Sequence, residues 1–152
     1  MAQNLTYSQI VDAFELACQQ HVQIASFDSG TIDFLDASAQ NRLYPYIFLR
    51  PMNSILADRT RTLTFELYSL DQPGLASQSN KDVISNTEQY IYDLMAWFNF
   101  GPTARQQTYD VSVTAIVPVN EAFQDRVFGW VATVDVNTPF NLDFCSYPTG
   151  SM

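Results

Sequence analysis

Thr60-Arg-Thr-Leu-Thr-Phe-Glu-Leu-Tyr-Ser-Leu70 is the stretch whose reading decides the fold. Leu63, Phe65 and Leu67 alternate with Thr62, Thr64 and Glu66. Side chains along a strand point alternately to opposite faces, so this period of two describes a strand with one dry and one wet face.

Strand patterns recur on either side of it. Residues 44–52 read as a longer strand bounded by Pro45 and Pro51, near the ends where lost ladder bonds matter least. Residues 31–35 give a short strand candidate, with Ile32 and Phe34 flanking Asp33. Residues 109–119 set Val111, Val113, Ala115, Val117 and Val119 on one face, and residues 130–136 direct Ala132, Val134 and Val136 to the core. Two helices interrupt the strands. Thr6 and Gln9 form a capping box, and Tyr7, Ile10, Val11, Phe14, Ala17, Cys18, His21 and Val22 make one apolar stripe. A second helix over 81–98 has Val83, Ile84, Ile91, Leu94, Met95 and Phe98 inside and stops at Gly101-Pro102. Antiparallel-type strands with two helices predict a single α+β domain over 1–152, a mainly antiparallel sheet with both helices on one face. Residues 144–152 read as a tail ordered by partners.

The bulk numbers exclude several function classes. The chain has 152 residues, enough for one domain with a real core, and 47% of them are hydrophobic. Eleven Phe, eight Tyr and two Trp are far more aromatics than a disordered chain carries. The net charge of −9 is spread evenly, with no basic patch for a phosphate backbone or an anionic membrane. The start lacks a basic, apolar leader, and the longest apolar run, around residues 43–49, is too short to span a bilayer. With only Cys18 and Cys145, and Cys18 on the buried stripe, a reduced cytoplasmic origin fits better than a disulfide.

The search for chemistry finds little. His21 is the only histidine, and its place on the apolar stripe points to a hydrogen-bonded core residue rather than a catalytic base. The five glycines stand alone at 30, 74, 101, 129 and 150, so no phosphate loop forms, and a zinc site lacks ligands. Glu121 with Asp125, and Asp33 with Asp36, are the acid pairs. They read as solvated loop carboxylates, or partners for Arg126, although a cation held by loop oxygens stays open. No catalytic residue, cofactor or metal is expected. Tyr44, Tyr46, Phe48, Phe128 and Trp130 read as core aromatics. Phe123, Phe140, Phe144 and Tyr147 fall in turns or the tail, where aromatics and Arg mark protein interfaces.

Leu43-Tyr-Pro-Tyr-Ile-Phe-Leu49, Leu63-Thr-Phe-Glu-Leu-Tyr68 with Asp71, and the helix over 85–97 carry a wider pattern. So do Pro118-Val-Asn-Glu-Ala-Phe-Gln-Asp-Arg-Val-Phe-Gly-Trp130 and Asp143-Phe-Cys-Ser-Tyr-Pro148. In the order of its elements the chain resembles the neck proteins of tailed bacteriophages, of the tail-terminator (tail-completion) type. The resemblance implies a non-enzymatic virion protein, assembled in the host cytoplasm. Such proteins form a ring, typically of six subunits, that caps the tail tube, stops its polymerisation and joins it to the head connector. Genomic DNA passes through without specific binding, and an acidic lumen would let it slide. Under this reading the 53–60 and 118–128 loops and the 137–148 tail supply the contacts, through Arg59, Arg61, Phe123, Arg126, Phe140, Phe144 and Tyr147. Two other readings compete: a head-closure or baseplate ring protein, and a small bacterial binding module or enzyme using an aromatic pocket with Glu121, Asp125 or His21.

Overall fold

The capping box forms as the sequence dictates. In the computed structural model, Thr6 Oγ1 accepts from the Gln9 amide and the Gln9 side chain accepts from the Thr6 amide, opening helix α1 (Tyr7–Gln20). The structure describes residues 5–31, 43–72, 80–102, 108–122, 127–142 and 148, the side chains of residues 80 and 120–122 excepted. The other elements are β1 (Ser26–Ser29), β2 (Tyr46–Ala57), β3 (Thr60–Asp71), α2 (Asn80–Phe100), β4 (Asp110–Ala122) and β5 (Val127–Pro139).

The strands make one sheet in the order β1-β2-β3-β5-β4. All pairings are antiparallel except β1 with β2, so the sheet is mixed and mostly antiparallel, with two helices, an α+β architecture. The stretch that decided the fold lies at its centre: Leu63 faces Val136, Phe65 faces Val134 and Leu67 faces Ala132 across the β3–β5 ladder. Both helices pack on this face. Ile10, Phe14, Ala17 and Cys18 of α1 join Ile91, Leu94 and Phe98 of α2 over Ile47, Leu49, Leu63, Phe65 and Leu67. Phe14 stacks at a tilt on Phe98 with centroids 4.6 Å apart, and on Phe65 at 5.9 Å. Buried polar groups on α2 are satisfied: the Thr87 hydroxyl donates to the Val83 carbonyl at 2.8 Å, and the Trp130 indole of β5 donates to the Ile84 carbonyl.

Several local expectations are corrected. The first strand is Ser26–Ser29, ahead of the 31–35 candidate, most of which lies outside the described residues. Pro51 does not end β2. The strand runs on to Ala57 through a bulge between Pro51 and Asn53, past the last β1 partner at Leu49, where a missing donor is tolerated. Residues 53–60 are therefore strand and a tight hairpin rather than a loop. The 118–128 connection shrinks likewise, because β4 reaches Ala122 and β5 begins at Val127.

β4 does not keep one face. A register shift between Val113 and Ala115 reverses the alternation, so Ile116 packs on the helix-side core while Val119 turns to the other side. Nor is the second face of β3 wet throughout. Tyr68 and Leu70 join Tyr46, Phe48 and Val127 in a second buried cluster on the side away from the helices. Gly129 fits between them by necessity: a Cβ there would strike the Ser69 carbonyl oxygen.

A candidate interaction surface at the hairpin end

Residues 46–49 of β2 are completely buried, whereas residues 51–57 are all exposed. Past Leu49 the strand has β3 on one side and no partner on the other among the described residues. It forms the outer edge of a hairpin arm closed by Asp58 and Arg59, with φ of 48° and 65°. Two consecutive residues in the left-handed region make the turn that matches strand twist in a two-residue hairpin. Glycine and asparagine usually occupy such positions, and an Arg there is uncommon.

The arm exposes Met52, Ile55 and Leu56, at 45%, 57% and 48% of their surfaces. Pairing with Thr62 puts Ile55 on the face away from the helices, while Leu56, opposite Arg61, lies on the helix side. The edge is thus apolar on both faces. It also holds the positive charge: of the four described cations, Arg50, Arg59, Arg61 and Lys81, three belong to this hairpin.

Arg61 locks the arm to the body. Its guanidinium lies over the Phe140 ring, 5.0 Å from the centroid, and its Nη2 donates to the Leu5 carbonyl. Burial pushes its pKa down from the usual arginine value, and its buried Nε has no partner. Phe140 is fixed from the other side as its amide donates to the Arg59 carbonyl at 2.8 Å. Between residues 56–59 and 140–142 lies an open cleft of about 480 Å³, with Leu142 exposed at its rim.

The sheet face away from the helices continues as a polar strip toward the arm. Thr62 donates to Asn137 Oδ1 at 2.6 Å, and Thr64 donates to Asp135 Oδ1 at 2.8 Å. Arg50 pairs with Glu66 at 2.8 Å, and the Tyr68 hydroxyl donates to the same carboxylate. Hydrogen bonding to Tyr68 and Glu66 raises the Arg50 pKa, so the guanidinium stays charged. These cross-strand pairs fix the register of β2 on β3 and of β3 on β5.

Of the seven residues expected at an interface, the fold brings together Arg59, Arg61 and Phe140. Phe123, Arg126, Phe144 and Tyr147 lie outside the described residues, as do Asp33, Asp36 and Asp125, and the Glu121 side chain is not described. Sequence reasoning missed Met52, Ile55 and Leu56. The signal was Met52-Asn-Ser-Ile-Leu-Ala57, an apolar run with no charge directly before an Asp-Arg turn.

His21 holds a structural place. Its Nδ1 accepts from the Gln23 amide at 3.1 Å, which leaves Nε2–H to donate to Asp93 at 2.8 Å, and its ring meets Tyr90 edge-on. The residue pins the end of α1 to α2, and both nitrogens are engaged. Burial alone would raise Asp93, but the Gln89 amide and His21 together hold it below the usual carboxylate value. Cys18 is buried, and burial with nearby Glu15 pushes its thiol up to about 12, so it remains protonated packing material. Among the described residues no group of His, Cys, Asp and Glu is placed to hold a metal ion, and no helix is long and apolar enough to cross a membrane. Comparison of the chain with known protein families and with curated proteins finds no match.

Proposed function

We propose that this chain is a non-enzymatic structural subunit of a tailed-phage neck, of the tail-terminator type. It assembles as a ring, hexameric by the resemblance of its sequence pattern, at the head-proximal end of the tail tube. There it ends tube polymerisation and meets the head connector. The observation that carries this reading is the hairpin arm: seven consecutive exposed residues with three large apolar side chains and a basic tip, on an otherwise acidic chain. A solitary protein gains nothing from such an edge, which is an aggregation hazard unless a partner covers it.

A closed ring needs two different patches on each subunit. The cleft between residues 56–59 and 140–142 supplies one, with Arg59 and Phe140 at its walls. The charge of −9 per subunit suits a lumen through which DNA moves without sticking. Negative-stain imaging of the purified protein, alone and with tail tubes, tests the proposal. Rings of tube width seated at one tube end are expected. Bare tubes beside unassembled protein would overturn it, and rings at the baseplate end would favour the baseplate reading.

A further inference from the structure

We infer that the free edge of β2 pairs with the β2 edge of a second copy, two-fold and antiparallel, in the protein away from its assembly. The inference goes beyond ring formation, because an isologous contact of this kind closes at two copies and builds no ring.

The edge is unguarded. Proteins that protect an exposed strand place Lys, Pro or inward-pointing charge along it. Here Pro51 and the bulge at Met52 come at the start, and Asn53-Ser-Ile-Leu-Ala57 carries neither proline nor charge. Its outward backbone groups have no partner among the described residues. Exposed Ile55 and Leu56 lie on opposite faces, so an added strand would cover apolar surface on both sides of the sheet.

A second copy fits this edge better than an arbitrary strand, for two reasons. The first is length. The free edge runs from the end of β1, where the Gly30 amide bonds the Leu49 carbonyl, to the turn at Asp58, and a copy of the same arm is bounded by the same turn. With the two-fold axis at Ser54, each Ser54 lies opposite its counterpart, like faces stay together, and the Asp58 turn comes opposite Arg50 of the second copy. Each turn then stops against the end of the other copy's β1, and neither β1 is displaced.

The second reason is charge. β1 carries Asp28 opposite Phe48 in its pairing with β2. The same arrangement brings the Arg59 turn of each copy toward Asp28 of the other. The two Arg59 residues stand at opposite ends of the paired arms, roughly 26 Å of strand apart at about 3.3 Å per residue, so like charges are kept separate. Arg50, already neutralised by Glu66, adds no repulsion.

Sedimentation equilibrium of the full-length protein, without tail tubes, tests the inference, with circular dichroism to check folding of each variant. The wild type is expected to dimerise. Ile55→Lys should weaken the dimer about a hundredfold by forcing a charge into the contact. Arg59→Asp should weaken it about fivefold, and adding Asp28→Arg should restore it. Ser54→Cys, made with Cys145→Ser so that buried Cys18 is the sole native thiol, should give a disulfide-linked dimer under mild oxidation. Ser112→Cys, on the outer strand β4, should not. A wild type that stays monomeric, or a dimer that Ile55→Lys leaves intact, overturns the inference. Rings on tail tubes from a protein that is monomeric in solution would overturn it while leaving the proposed neck role standing. Dimers with bare tubes would do the reverse.

Discussion

The two halves of β2 make opposite use of the same secondary structure. Residues 46–49 are sealed on both faces, with Ile47 and Leu49 under the helices and Tyr46 and Phe48 in the second cluster. Residues 51–57 continue the same strand, paired to the same partner, and are exposed throughout. Backbone pairing is therefore not what distinguishes core from arm. The difference comes from what flanks the strand: β1 ends at Ser29, opposite Leu49, and the helices cover only the base. The arm thus combines strand-quality hydrogen bonding with exposure along its whole length, which is why we propose that a partner covers it.

Truncation should split the two halves most widely. Phe48→Ala is expected to cost about 3–5 kcal/mol, as removal of a fully buried aromatic leaves a cavity. Ile55→Ala, at 57% exposure, should shift stability by no more than about 0.5 kcal/mol. Urea unfolding of both variants at a concentration that keeps the protein monomeric checks the pair, and equal losses would erase the distinction.

Gly129→Ala probes the base without removing anything. The added methyl meets the Ser69 backbone, which has no flexible end to move aside, so a loss of about 3 kcal/mol is expected by thermal unfolding. Thr6→Ala removes the α1 cap and should cost about 1 kcal/mol.

The smallest effects are those of pH, and two carboxylates of the body act with opposite sign. Burial raises the pKa of Asp71 even though the Gln72 amide donates to it. A raised folded value means its contribution is fully present below the unfolded value, near pH 4, and is lost as pH rises through the folded value. Asp71→Asn should therefore raise stability at neutral pH, with the gain vanishing in acid. Asp93 is lowered, so its stabilisation is present above about pH 4 and lost as pH falls through its folded value. Asp93→Asn should lower stability at neutral pH and converge with the wild type in acid. Melting temperatures across pH 3–8 (roughly the window set by these carboxylates) give both results.

Much of the body was legible because its residues obey one period at a time. Leu63, Phe65 and Leu67 alternate cleanly, Ala132, Val134 and Val136 answer them across the ladder, and Thr6 with Gln9 announces α1. What escaped was set by the pairing of strands rather than by local composition. The bulge after Val113 turns Val117 outward although the valine pattern is unbroken, and Pro51 looks like a strand end until β1 is seen to stop just before it. Tyr68 and Leu70 alternate with the core residues and so read as solvent-facing, yet they meet Tyr46 and Phe48 from a distant part of the chain. At the candidate surface, Arg59, Arg61 and Phe140 were legible as aromatic and basic residues near turns. Met52, Ile55 and Leu56 were not, because Met52 closed the expected 44–52 strand and the expected 53–60 loop was read for its arginines rather than for its apolar residues.

Amide hydrogen exchange along β2 tests the central claim most directly, since core and arm lie in one strand. Residues 46–49 should exchange slowly at every protein concentration. In residues 52–57, the amides that point away from β3 should exchange quickly in dilute solution and become protected as concentration rises or when tail tubes are added, while those bonded to β3 stay protected throughout. Protection of the outward amides that is already complete in the dilute monomer, or that no concentration and no tube changes, would contradict the account.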